Sequence, residues 1–378
     1  MKKTVALILT LVMVLGMFCA CSNQKADTTA SAQATTASAE TSASQSASTS
    51  TSANAASASA SASASASASS STGTAIDPST VKVGLLLSGT RGDESVHDQA
   101  YNGLMKVQDE LGCEVKAIEC TDTSTYVDSL QSLCDAGYQL VCCDAFNFSD
   151  ALATVAPNYP NVHFMILDTV VDAPNVTSFT YATNECSFLA GVVAAMKSKT
   201  GVIGFIGGME IPTIQKFEVG FEEGVAYVNK DAKVIAKYVG SDNSAWNDPA
   251  TAKSLTLDEI ASGADVCYHA AGASGLGMIE ACVEKNIYAI GVNTDQTHLA
   301  PDNMLTSAMT NGDTAIYLFV QNYLNGTPLS GSTLLNCANG GVGVVESKFF
   351  DDDIKNAVKD CTEKIISGEI KVTDVMAG

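Results

Sequence analysis

The chain has 378 residues and carries 20 Lys and Arg against 41 Asp and Glu, a formal net charge of −21. At roughly 150 residues per domain the length predicts two domains with an appendage. The charge argues against nucleic acid, whose phosphates would repel such a surface, and against polybasic attachment to anionic lipid. It is also unevenly placed. Residues 1–80 are formally neutral and hold a single aromatic residue, Phe18, so the acidic excess belongs to 81–378.

Lys2 and Lys3 precede an apolar run from Thr4 to Phe18. A membrane-spanning helix needs about 20 such residues, so this shorter run has the form of a signal-peptide core. It leads into Phe18-Cys19-Ala20-Cys21-Ser22. A small residue before a cysteine at this position resembles the lipobox of bacterial lipoproteins. The resemblance implies a signal peptide over 1–20, cleavage before Cys21, and diacylation of that thiol as a membrane anchor. An ordinary secretory signal with incidental cysteines is the alternative. Residues 23–74 are almost wholly Ala, Ser and Thr. They offer little to bury against the entropy of ordering, so 21–80 is expected to be a flexible tether reaching about 40 Å.

From Val81 onward, strand and helix patterns alternate. Strands are predicted at Val81–Leu87, Glu114–Glu119, Leu140–Cys143, His163–Leu167, Val202–Ile206, Lys233–Tyr238, Val266–His269 and Tyr288–Val292. Helical spacing falls between them, at Asp98–Leu111, Ala182–Lys197, Gln215–Asn229, Ala250–Ser262 and Leu276–Lys285. Near-continuous apolar strands separated by helices predict α/β architecture with parallel sheets covered on both faces. Ligands bind such sheets beyond the carboxyl ends of the strands. Loops 88–95, 144–150, 270–275 and 293–297 are therefore expected to gather around a site.

Several chemistries find no support in the motifs. The glycines of Gly201–Gly208 are spaced wrongly for a nucleotide loop, and a strand ending in a Gly-Gly turn accounts for them better. Ser274 lacks the nucleophile-elbow context of a hydrolase. His97, His163, His269 and His298 have no metal-ligand spacing, and the cysteines form no matched CxxC pairs. No cofactor or metal is expected, and the chain does not read as an enzyme. Ten cysteines beyond Cys21 sit mostly in apolar runs and read as buried thiols. Adjacent on one strand, Cys142 and Cys143 must point to opposite faces. His163 reads as structural, whereas His97 and His269 fall at strand ends. Asp93, Asp144, Asp168 and Asp295 also lie near strand ends, and four carboxylates at one rim suggest polar recognition. Gly272, in Ala270-Ala271-Gly272-Ala273-Ser274-Gly275, joins a strand to a helix whose free N–H groups would face a ligand; a plain tight turn is the other reading.

Longer stretches carry a specific resemblance. They are Ser187-Phe188-Leu189-Ala190-Gly191, Gly207-Gly208-Met209-Glu210-Ile211-Pro212, Phe217 through Val225, Ala270 through Gly277, Ala289-Ile290-Gly291-Val292-Asn293-Thr294-Asp295-Gln296, and Leu305-Thr306-Ser307. Together these resemble the basic membrane protein family of ABC-transporter substrate-binding lipoproteins, over residues 81 to about 375. The resemblance implies a type I periplasmic-binding fold: two doubly wound parallel-sheet lobes joined by three crossovers, at 81–183 plus 298–330 and 184–297 plus 331–378. It also implies a small-molecule ligand in the cleft, purine nucleosides being those best understood, and delivery to an ABC permease by a monomer at the extracytoplasmic face of the membrane. A sensor signalling through a partner membrane protein is the alternative.

Carried over residue by residue, the family's nucleoside site is only partly kept. Its first-strand Asp falls near Ser88. Its Ser-Phe-Asn, whose Phe stacks on the base, becomes Ser95-Val96-His97. A ribose-holding Asp becomes Asn293, and a ribose-contacting Lys becomes Thr310. Tyr268 matches an aromatic facing the base, and Asp168 matches an Asp ending a first-lobe strand. Loss of a stacked ring removes about 1–3 kcal/mol of base affinity unless His97 or Tyr101 takes its place.

Overall fold

The computed structural model describes residues 75–376. The signal core, Cys21 and nearly all of the tether lie outside them. From Lys82 the chain builds β1 (Lys82–Leu87), α1 (Val96–Lys106), β2 (Glu114–Glu119), α2 (Tyr126–Asp135), β3 (Leu140–Cys143), α3 (Ser149–Val155), β4 (His163–Leu167) and β5 (Val176–Tyr181). It then crosses at Ala182 into α4 (Thr183–Lys197), β6 (Val202–Met209), α5 (Pro212–Val228), β7 (Lys233–Gly240), α6 (Pro249–Ala261), β8 (Val266–Ala270), α7 (Gly275–Lys285), β9 (Tyr288–Asn293) and β10 (Met304–Thr310). The chain returns with α8 (Gly312–Leu324) and β11 (Gly331–Leu335), and ends with β12 (Val342–Val344) and α9 (Asp352–Ser367).

Two six-stranded sheets result, ordered β11-β5-β4-β3-β1-β2 and β12-β10-β9-β8-β6-β7. Every pairing is parallel except β10 with β12. Most strands are followed by a helix that returns the chain for a parallel pairing, and those helices cover both faces; β4 to β5 and β9 to β10 return through loops instead. Strand order reverses between β1 and β3 in the first sheet and between β6 and β8 in the second. Such switch points leave a crevice at the carboxyl ends, where ligands bind.

The second and third crossovers fall later than the sequence suggested. β10 belongs to the second sheet, and the chain crosses back only at Asn311; β11 belongs to the first sheet and crosses again within Asn336–Gly341. The reason lies in the residues of β10. Met304-Leu-Thr-Ser-Ala-Met-Thr lacks a β-branched apolar run, yet Thr306 and Ser307 are fully buried because their hydroxyls are satisfied internally. Thr306 Oγ1 donates to the Val345 carbonyl at 2.6 Å, and Ser307 Oγ accepts the Gln296 N–H at 3.1 Å.

Leu85, Met165 and Phe179 pack the inner face of the first sheet, while Leu86, Phe164 and Ile166 pack a separate cluster on its outer face. Cys142 joins the first group and Cys143 the second, as alternation along a strand requires. All ten cysteines among the described residues are buried free thiols. In the second lobe α4 and α5 cross closely. A Cβ at Gly191 would strike the Phe221 carbonyl, and one at Gly224 the Phe188 carbonyl, so these helices touch backbone to backbone. No helix among the described residues is long and apolar enough to cross a membrane.

Candidate ligand-binding cleft

Between the carboxyl ends of the two sheets lies a cleft of about 330 Å³. That is near the lower end of the range for small-molecule sites, about 300–1,000 Å³. Ser88, Asp93, Val96, His97, Asp144, Asp168, Gly272, Asn293 and Thr310 all line it, so nine residues marked in the sequence meet there. Of the four expected loops, three contribute several residues, and the fourth contributes Asn293.

The first lobe's switch point holds a buried charge cluster. His97, on the first turn of α1, places Nδ1 2.6 Å from Asp144 Oδ2, at the end of β3. Asp144 Oδ1 accepts the Ser88 N–H at 2.9 Å, from the end of β1. Asp93 accepts the N–H groups of Ser95, His97 and Asp98. Its carboxylate thus caps α1, the task a side chain at the N-cap usually performs. Burial alone would push the His97 ring down, but the Asp144 hydrogen bond and charge, with Asp93 and Asp98 nearby, hold it up at about 9. The ring is therefore an imidazolium at neutral pH. Asp93 and Asp144, expected as ligand contacts, spend their oxygens on this scaffold.

Asn293 and Thr310 lie side by side at the ends of β9 and β10, with Thr310 Oγ1 donating to Asn293 Oδ1 at 3.2 Å. Asn293 Nδ2 donates across the cleft to Ser95 Oγ at 3.0 Å, and Gln99 Nε2 donates to the Asn293 carbonyl at 2.8 Å. Gln296 Nε2 and Thr294 Oγ1 both donate to the Glu94 carbonyl. The motif Asn293-Thr294-Asp295-Gln296 thus fastens the second lobe to the loop before α1. Among the described residues, those other than glycine with positive φ are Glu94, Asp168, Asn286 and Asn293. Asn286 caps α7, Asp168 and Asn293 line this cleft, and Glu94 lies between the lining residues Asp93 and Ser95. Strained backbone is retained where the surroundings over-determine it, commonly at ligand sites.

Asp168 also lines the cleft, after β4. Burial pushes its carboxyl up to about 7, against the pull of Lys216. Beside it in the lining are Tyr181 and Thr183, whose buried hydroxyls have no hydrogen-bond partner among the described residues. Buried polar atoms are seldom left unpaired without a reason.

Tyr268 is the main correction. Its ring is fully buried in the second lobe, packed on Phe205 and Phe221, and its hydroxyl lies 3.0 Å from Ser187 Oγ. It is a core residue of β8 and does not line the cleft. Tyr101 is also absent from the lining and carries the Arg91 guanidinium over its ring at 4.3 Å. His269 is fully buried with Nε2 3.0 Å from Gln296 Oε1, and burial pushes it down to about 4. His163 is half-buried in β4, its ring 5.1 Å edge-on from Tyr323. Asp295 is exposed and holds the Thr297 N–H at 2.9 Å.

The cleft's rings come from elsewhere. Phe146 of the first lobe and Trp246 of the second both line it, with Tyr126 and Phe217 behind. A Cβ at Gly208 would strike the Trp246 indole. Gly207-Gly208 is therefore no turn; it lies inside β6, where the missing side chain seats the indole on the strand. Trp246 is the chain's single tryptophan and follows a polar stretch, Ser241-Asp-Asn-Ser, that reads as surface loop.

Residues 80–375 match the family described as ABC transporter substrate-binding protein PnrA-like, the basic membrane protein (Bmp) family. The chain belongs to this family. Basic membrane protein A2 of Borrelia garinii subsp. bavariensis is 34% identical over 307 residues, spanning 79% of this chain and 90% of that one. Basic membrane protein A of Borreliella burgdorferi is 35% identical over 300 residues, spanning 77% and 87%. Among solved structures, an ABC transporter system solute-binding protein from Aeropyrum pernix K1 superposes with a TM-score of 0.71 at 25% identity, covering 78% of this chain and 93% of its own. Membership in the Bmp family accounts for the two-lobe type I periplasmic-binding fold. It makes the chain an ABC transporter substrate-binding protein.

Proposed function

We propose that this protein captures a small polar heteroaromatic solute, a purine nucleoside or a close relative, between its lobes and delivers it to an ABC importer. The observation that carries this reading is the composition of the cleft: a partly exposed ring from each lobe, Phe146 and Trp246, among hydrogen-bonding groups in the same lining. Flat apolar walls suit a base, and polar groups suit its edges and hydroxyls. The crossovers at Ala182, Asn311 and Asn336–Gly341 form the hinge. A ligand touching both lobes favours their closed arrangement by its differential affinity, and the closed form is what a permease would recognise. No chemical change in the ligand is required.

We further take Cys21 as the lipid anchor and 21–80 as the tether at the extracytoplasmic face. Removal of Lys2 and Lys3 with the signal takes the formal charge from −21 to −23. A covalent anchor keeps such an acidic protein beside anionic lipid. A thermal-shift screen of nucleosides, free bases and related metabolites tests the ligand class, since a binder stabilises by RT ln(1 + [L]/Kd). Purine nucleosides should raise the transition. A shift by another class alone would replace this ligand and leave the family membership intact.

A further inference from the structure

The cleft lining holds one polar group whose hydrogen-bonding sense is fixed by its surroundings. At the β1–β3 switch point, Asp144 takes the Nδ1 proton of His97 at 2.6 Å, and its second oxygen is occupied by the Ser88 N–H. The neighbouring carboxylate of Asp93 lies 4.0 Å from Nε2, beyond hydrogen-bond reach, and is filled by three backbone N–H groups. Asp98 is filled as well, accepting the N–H groups of Gly92 and Glu94. The Nε2 edge lies against Gly89, where a Cβ would strike it and where the backbone also lines the cleft. Nε2 has no hydrogen-bond partner among the described residues. With Nδ1 committed to a carboxylate and two further carboxylates close by, the second nitrogen also carries a proton. His97 therefore presents N–H to the cleft and offers no lone pair.

We propose that His97 is a specificity-determining residue whose fixed Nε2–H selects ligands with a hydrogen-bond acceptor, a carbonyl oxygen or bare ring nitrogen, at the edge it meets. An analogue with an amino group at that place would set donor against donor and leave both unpaired, the arrangement by which sites reject a near-isostere. Elsewhere in the lining, after β4 and β5, the hydroxyls of Tyr181 and Thr183, each able to donate or accept, are unpaired among the described residues, beside the carboxyl of Asp168. A ligand with an acceptor edge at His97 and polar groups within reach of these hydroxyls satisfies both sets. This inference rests on the heteroaromatic reading of the cleft given above.

The test uses pairs that differ by carbonyl against amino at one ring position: inosine and adenosine, uridine and cytidine, hypoxanthine and adenine. Titration calorimetry on the mature protein at pH 7 should give the oxo member at least about tenfold tighter binding in any pair that binds. In His97→Asn, whose amide offers acceptor as well as donor, the ratio should fall to near one while the oxo member still binds. Equal affinities in the wild type, a preference for the amino member, or an unchanged ratio in His97→Asn would each overturn the proposal. The ¹⁵N resonances of His97 in the ligand-free protein give a second, independent reading. Two protonated nitrogens at pH 8 support the fixed donor, and a bare Nε2 contradicts it. If no member of any pair binds, the ligand class proposed above fails, and the His97 resonances alone decide the donor assignment.

Discussion

The hydroxyl of Tyr268 lies 3.0 Å from Ser187 Oγ, and this contact ties β8 to α4 inside the second lobe. It defines Tyr268 as a core residue, with burial holding its phenol well above the ordinary tyrosine range. Tyr268→Phe should keep the ring packing and leave Ser187 without its partner. The expected loss is about 1 kcal/mol in urea unfolding, with ligand affinity unchanged within twofold. A tenfold loss of affinity at undiminished stability would return Tyr268 to the binding site.

Closure is expected to depend on Ser95. Its hydroxyl accepts the Asn293 amide across the cleft, and one such hydrogen bond is worth about 0.5–1.5 kcal/mol. Ser95→Ala should therefore weaken ligand binding by about two- to twelve-fold. It should also enlarge the radius of gyration of the ligand-free protein in X-ray scattering. An unchanged scattering profile and unchanged affinity would show that this contact has no part in closure.

The His97–Asp144 pair makes stability depend on pH. The folded pKa, about 9, is raised above the ordinary value of 6.5. Its contribution is therefore complete below about pH 6.5 and is lost as pH rises through 9. The shift corresponds to stability on the order of 3 kcal/mol. Denaturant midpoints measured from pH 6 to 10 should fall, and His97→Gln should flatten the part of the curve between 6.5 and 9. A curve of the same shape in the variant would contradict the pairing.

Glu259 adds a second alkaline sensitivity. It is fully buried, and neither carboxyl oxygen has a hydrogen-bond partner of ordinary geometry. Burial, with the Cys267 thiol adding and Lys237 opposing, pushes it up to about 10 from 4.5. The folded state must keep a proton that the unfolded chain releases above pH 4.5. Stability falls by up to about 1.4 kcal/mol per pH unit from there to 10. Glu259→Gln should be a few kcal/mol more stable than the wild type at pH 8 and nearly equal at pH 4. Equal stabilities at both pH values would mean that water or a rearrangement relieves the carboxyl.

Eight of the twelve strands among the described residues were legible because β1–β4 and β6–β9 are apolar runs bounded by helical spacing, and parallel burial demands that pattern. β10 was hidden by Thr306 and Ser307, whose satisfied hydroxyls let polar residues occupy a core strand. β11 is a sheet edge with exposed residues, and β12 has only three, so neither carries a burial pattern. The cleft was legible through strand-end loops, since topology alone gathers them. What local pattern could not show is which side chains are already committed. Asp93 and Asp144 look like free rim carboxylates in sequence but serve backbone N–H groups and a histidine. Trp246 was missed because its neighbours are polar; its being the only tryptophan, next to Asn247-Asp248-Pro249, was the available signal.

Trp246 also provides the most direct test, because its indole is the chain's only one and lines the cleft. Titrating inosine into the mature protein while following tryptophan emission and heat reads the site itself. The account predicts saturable changes in both signals with one shared Kd, weakened at least about tenfold in Trp246→Ala, the loss of one stacked base at about 1–3 kcal/mol. Saturable heat with no change in emission, and the same affinity in Trp246→Ala, would place the ligand away from this cleft.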